Sequence, residues 1–262
     1  MITSSFKSSS EIFALPPKLL FFKTDFSAYN QVFGFSALFN SNNSFFEVLN
    51  SHLFLTSRII DSLIVAIGSS SITLLISIYA SYSLSRLNIK LRSFLIFSII
   101  SSRMMPLISI AIPIYFIYEK VNLIDSYLGI ILVHAFINLP LAILLLKSFF
   151  DEIPKQIDEN AFLDGANRIE ILHKIILPST IGGLSVTFIL SFIFSWTEFI
   201  CALMIGQMNI KTVPVQASIL KTIPSWDYMA AFTTISIIPL FIMVLLVKKH
   251  LVRGITLGTI KE

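Results

Sequence analysis

The sequence predicts an all-α, polytopic membrane protein, and three observations predict it. Hydrophobic residues make up 55% of the 262 and charged residues only 13%, where soluble domains carry about 25% charged residues. Mean hydropathy is +0.84. Five apolar runs carry one charge or none, and each reaches the ~20 residues that cross a ~30 Å hydrocarbon core at about 1.5 Å per residue. A soluble fold of this size needs a polar shell that this composition cannot supply. A bilayer removes that need, provided helices satisfy every backbone N–H and C=O internally.

The runs are residues 62–85, 93–118 (with Arg103), 126–146, 179–206 (with Glu198) and 228–247. Residues 1–57 differ. The stretch 26–46 lacks charge but is rich in Ser, Asn and Gln. It reads as an extramembrane segment with one or two short helices, and no basic start followed by an apolar core marks it as a signal peptide. The chain thus divides into an extracytoplasmic N-terminal segment, 1–57, and a transmembrane domain, 58–262, with an inside loop at 151–178.

Orientation follows from the basic residues between runs. Arg86, Lys90, Arg92, Lys147, Lys155, Arg168, Lys174, Lys248, Lys249, Arg253 and Lys261 lie in alternate loops and the tail, against Lys120, Lys211 and Lys221 in the others. Counting Lys7, Lys18, Lys23 and Arg58 of the N-terminal segment narrows the margin to eleven against seven without reversing it. The reading places the N-terminus outside and the C-terminus in the cytoplasm. An outside start with no leader suggests a further span upstream. The net charge of +4 has no long Lys/Arg cluster behind it, so no nucleic-acid partner is expected. Cys201 is the single cysteine, which excludes an internal disulfide.

The longest inside loop carries the functional signal. Asp151 and Glu152 precede Pro154, an acidic entry to a short helix. Ile153, Ile157 and Ala161 recur at i, i+4 and predict an apolar stripe on it. Gly165 ends it at a left-handed turn, and a second helix runs from Asn167 to about Leu177, with Pro178 at the entry to the next span. Ile157, Ala161, Phe162 and Leu163 give a loop that should be polar an apolar knob, the mark of a docking surface.

At these residues a resemblance emerges. Glu159-Asn160-Ala161, three residues, Gly165, nine residues, Ile175, one residue and Leu177-Pro178 resemble the EAA loop of ATP-binding cassette importer permeases, with Asn160 where that family has Ala. The likeness extends along nearly the whole chain, to the sugar-type (maltose and glycerol-3-phosphate) permeases. SFK at 5–7, SWTEFICAL at 195–203 (Thr197 standing for Asn), KTVPV at 211–215 and RGITLGTIKE at 253–262 resemble that family's segments.

The resemblance implies a permease subunit of a carbohydrate or polyol importer in a bacterial inner membrane. It also implies six spans, the first of them absent here. The short helix would seat in a cleft of a separate ATPase dimer. Glu159, Ala161, Asp164, Gly165, Ile175, Leu177 and Pro178 would be the coupling residues, Glu159 and Gly165 foremost. A second homologous permease and an extracytoplasmic solute-binding protein are the other implied partners. No G-x-x-x-x-G-K-[ST] loop is present, so ATP is expected on the partner and no cofactor on this chain.

Polar residues inside the spans are candidates for the solute path: Arg103, Asn138, Trp196 and Glu198. Counted from the inner face, Arg103 and Glu198 lie at about 14 and about 28 Å, depths that argue against a direct pair. Trp196 and Glu198 fit a sugar, through stacking and hydrogen bonding, and fit a buried packing corner equally well. Ser69–Ser71 and Gly182–Gly183 fit close helix packing. His134 and His173 lack partners at metal-ligand spacing, and no catalytic constellation is present. Two other readings stay open: an ion-coupled secondary transporter using Arg103 and Glu198, and a non-transporting membrane scaffold.

Overall fold

The structure is a computed structural model and describes residues 2–14, 22, 24–33, 55–221 and 226–258. Most of the stretch 26–46 and the last four residues of the expected tail segment lie outside the described residues. Among the described residues every regular element is helical. After a 3-10 turn at Ser4–Phe6 come the short α1 (Ser9–Ile12) and α2 (Ser27–Val32), then α3 (Leu55–Arg86), α4 (Arg92–Ser102), α5 (Leu107–Lys120) and α6 (Tyr127–Asp151). The short α7 (Lys155–Leu163) follows, then α8 (Arg168–Ile171), a π-helical turn (Leu172–Ile176) and α9 (Leu177–Ser179). The chain closes with α10 (Ile181–Thr197), α11 (Ile200–Ile205), α12 (Val213–Leu220) and α13 (Trp226–Gly258).

Among the described residues three helices are long and apolar enough to cross a membrane: Ser57–Arg86, Tyr127–Asp151 and Trp226–Leu246. Two bent pairs raise the number to five if each pair is one span. The expected run 93–118 is therefore two helices, α4 and α5, bent by 91°. The break falls at residues 103–106. There the N–H groups of Arg103 and Met104 take tight i−3 bonds to Ile100 and Ser101, and Pro106 has no N–H to continue the ladder.

The expected run 179–206 is also broken. The helical stretch 168–179 turns by 80° at Thr180 into α10. At the far end α10 stops at Thr197 because the Glu198 carboxylate accepts from the N–H groups of Cys201 and Ala202 at 2.9 and 3.0 Å, starting α11 afresh. The π-helical turn has a local cause. Pro178 cannot supply the N–H that Lys174 would accept from, and the helix widens by one residue, with Leu177 N–H bonded to Leu172.

The chain forms two compact units. The first comprises Met1–Val65, Tyr115–Ile130 and Trp196–Ile242, the second Ala66–Ile114, Ile131–Ser195 and Met243–Glu262. In the first unit a polar staple closes the loop 206–213. Arg58 pairs with Asp61 at 3.1 Å and donates to the Asn209 carbonyl at 2.7 Å. Tyr127 donates to Asp61 at 2.6 Å, and the Val213 N–H donates to Ser62 at 2.6 Å. Asp125 accepts from the backbone of Met208, Asn209 and Ile210 and from the Asn209 side chain.

The second unit is built on an apolar cluster of Ile78, Tyr82, Leu146, Phe150, Ala161, Ile171, Leu172 and Ile176. Small residues bring its helices close. A Cβ on Gly183 would meet the Phe149 ring at 2.5 Å, and one on Gly68 would meet Ile131 at 2.8 Å. Ser69 and Ser70 are fully buried. Ser69 donates to Ser195, which also bonds His134 Nδ1, both at 2.8 Å. This ties α3, α6 and α10 by side chains, each such bond contributing about 0.6 kcal/mol in a membrane.

Candidate coupling site

The site grows from two helix ends. Pro154 takes an extended conformation (ψ 134°) and launches α7 at Lys155. The far end is a Schellman motif. The Gly165 N–H bonds to Phe162 O and the Ala166 N–H to Ala161 O, both at 3.0 Å, with Gly165 at φ +87°. That left-handed residue is glycine's role. Two residues later Asn167 starts α8 with a reciprocal capping box, accepting from the Glu170 N–H while Glu170 accepts from its own. The result is a helix, a four-residue corner at 164–167 and a second helix, with the end of α7 and the start of α8 each closed by its own hydrogen bonds.

The two faces of α7 differ. Ala161 is buried in the apolar cluster, against which Ile153, Ala166, Ile175 and Leu177 also pack. Outward on α7, Leu163 is 87% exposed, Phe162 43% and Ile157 41%, and Ile169 of α8 is 68% exposed. The apolar stripe expected over Ile153, Ile157 and Ala161 is corrected here. Ile153 precedes Pro154 and is off the helix, Ile157 points away, and the inward place is taken by Asp158. Glu159, Asp164, Gly165 and Pro178 are exposed, whereas Ala161 is buried and Ile175 and Leu177 are partly buried.

Asp158 and Arg86 were not legible in the sequence as site residues. Arg86, the last residue of α3, approaches the Asp158 carboxylate to 2.8 Å, with side chains 4% and 10% exposed. Its Nη2 donates to the Ile153 carbonyl at 2.9 Å. Burial pushes the Asp158 carboxyl above its ordinary value, Arg86 works against that, and Glu159 adds to the rise. The only sequence signal was the i, i+3 spacing of Asp158 and Ala161, which puts a charge on the inward face.

The expected acidic entry is also corrected. Asp151 belongs to α6, where it pairs with Lys147, accepts from Ser85 at 2.5 Å and lies 3.9 Å from Arg92. Farther along, Tyr82 donates to the Arg168 carbonyl at 3.3 Å, and Tyr79 lies 3.4 Å from His173.

Of the path candidates, Arg103 and Asn138 fall in the second unit, Trp196 and Glu198 in the first. Arg103 is exposed at the α4–α5 bend. It donates to the Ile137 carbonyl at 3.1 Å and stands 5.1 Å over the Phe194 ring. Asn138 is buried and donates to Ser191 O at 3.4 Å. These two therefore share one neighbourhood of α6 and α10. Trp196 is 4% exposed, and Glu198 caps α11. Among the described residues no group of three His, Cys, Asp or Glu side chains could hold a metal.

Apolar helices of membrane-crossing length, two sharply bent helix pairs and a short helix with an apolar outer face mark a multi-pass membrane protein. The family described as binding-protein-dependent transport system inner membrane component matches residues 72–257, and the chain belongs to it. It is 33% identical over 214 residues to the sulfoquinovosyl glycerol transport system permease protein SmoH of Agrobacterium fabrum, spanning 80% of this chain and 73% of that one. It is 34% identical over 205 residues to the trehalose/maltose transport system permease protein MalG of Thermococcus litoralis, spanning 77% and 74%. Among solved structures it is similar to a bacterial ABC transporter involved in the import of the acidic polysaccharide alginate. That likeness has a TM-score of 0.71 at 22% identity over 95% of this chain and 87% of that chain, and it establishes the fold.

Proposed function

We infer that this permease carries a carbohydrate or polyol into the cytoplasm, driven by an ATPase dimer that holds α7. The observation behind the ATPase contact is the α7 corner. Ile157, Phe162 and Leu163 of α7 and Ile169 at the start of α8 form an exposed apolar surface with Glu159 beside it, Arg168 lies 5.7 Å over the Phe162 ring, and the C-terminal end of α7 is closed by its own hydrogen bonds. An apolar knob of fixed shape fits a cleft in a partner. The solute class is supported by the names of the relatives, which transport a sulfoquinovosyl glycerol and trehalose or maltose.

The loop 151–178 and the C-terminus then face the cytoplasm and the staple at 206–213 faces outside, as the basic residues favour. A second permease completes the path, and a solute-binding protein delivers the solute. Arg103 and Asn138, clustered at the α4–α5 bend, are the path residues the geometry favours. The carboxylate of Glu198 is already engaged by two N–H groups, which supports a structural role for it.

The test is uptake in proteoliposomes holding this chain with its partners. Trehalose and maltose serve as probes, and the variant is Gly165→Asp. Uptake should need ATP inside, survive collapse of ion gradients, and fall about tenfold or more in the variant. Uptake that follows the ion gradient and ignores ATP supports the secondary-transporter reading instead.

A further inference from the structure

Several contacts in the second unit are more than the docking helix needs for its own shape. The end of α3 touches the segment 151–176 repeatedly, and Tyr79 also lies 3.4 Å from His173. Arg86 meets Asp158 and the Ile153 carbonyl, Ser85 donates to Asp151, Tyr82 reaches the Arg168 carbonyl, and Ile78 and Tyr82 share the apolar cluster with Ala161, Ile171, Leu172 and Ile176. Among the described residues the Arg86–Asp158 pair joins α3 directly to α7 through charge. Both side chains are almost fully buried. Removing one partner of such a pair leaves an uncompensated buried charge, whereas an exposed pair slips at little cost.

Resting on the docking role of α7, we propose that the Arg86–Asp158 ion pair fixes α7 to α3 as one rigid body, so that displacement of the docking helix enters the membrane through α3. Arg86 and Asp158 are positioning residues: they act on the solute path through α3 and are turned away from the ATPase-facing side. Gly165 and Asn167 set the shape of the corner, and the ion pair sets what it pulls on. A hinge at Pro154 would otherwise be free to open, since the extended conformation there interrupts the helical ladder between α6 and α7.

The experiment measures whether the two helices move together. In a Cys201→Ser background, spin labels are placed at Leu75→Cys on the exposed face of α3 and Asn160→Cys on α7. Both positions are exposed. Electron–electron distances are read in the full transporter complex, nucleotide-free and after trapping with ATP and vanadate. The distance should stay within about 2 Å between states, and with Asp158→Asn it should shift or broaden by about 5 Å, one helical turn. Asp158→Asn is close in shape to the native residue and should still co-purify with the ATPase. A shift of a helical turn in the otherwise native pair overturns the proposal. So does an Asp158→Asn complex whose distances match its parent. Failure of the native chain to retain the ATPase at all overturns the docking reading instead, and the two failures are read separately.

Discussion

At Gly165 one backbone angle decides the shape of the corner between α7 and α8. Its φ of +87° is open to glycine and strained for other residues, yet no atom lies within 4 Å of the place a Cβ would occupy. The cost of substitution is therefore conformational, not steric, about 1 kcal/mol for Ala and less for Asn, which tolerates left-handed geometry. Uptake should rank glycine above Asn above Ala, with membrane insertion unchanged on immunoblots. A ranking that follows side-chain size would point to a steric effect and away from backbone strain.

Asp125 is a second single-residue device. Burial raises its carboxyl, but the N–H groups of Asn209, Ile210 and Met208 and the Asn209 amide outweigh that and hold it below its ordinary value. A lowered folded pKa means stabilisation that is complete above about pH 4, the unfolded value, and is lost as pH falls through the depressed folded value. Asp125→Asn should cost about 1–2 kcal/mol at neutral pH. Melting of purified wild type and variant should converge on acidification, and a gap that persists to the lowest pH would rule this out.

At the scale of elements, α8 depends on its start. Asn167→Ala removes one half of the capping box and should cost about 1 kcal/mol, read as a lower melting temperature with coupling partly retained. The α6–α10 contact depends on Gly183, where any side chain meets Phe149. Gly183→Leu forces the helices apart and should cost about 1–3 kcal/mol. Pairing it with Phe149→Ala should recover much of the loss, because the clash and the space created coincide. If the double variant is no better than the single, the close approach is not what Gly183 provides.

For the whole molecule, orientation is the property on which the proposed ATPase contact rests. Reporter fusions at residue 165 and at the C-terminus should both report cytoplasm, and one at residue 209 the outer side. Placing 165 outside would overturn the proposed ATPase contact. The broken helices matter at this scale too. A straight span needs only length and hydropathy, but the 91° bend at 103–106 and the restart at Glu198 leave irregular backbone at apolar positions. Such backbone is tolerated where protein or a water-filled path surrounds it.

Composition and hydropathy were enough to determine the fold class and the apolar runs, and the positions of Pro154, Gly165 and Asn167 the helix–glycine–helix loop, because burial in lipid and helix capping act on local sequence. The spacing of Glu159, Gly165, Ile175 and Pro178 carried the family resemblance for the same reason. Two runs came out too long, since a Pro and a carboxylate that break a helix look, in a hydropathy window, like small dips. The partner of Arg86, the inward turn of Asp158 and the closure of Asp125 over residues 208–210 were decided only by tertiary structure. Each joins residues roughly 70 to 85 positions apart, and no local rule states which buried charge a distant helix end will bring to meet it.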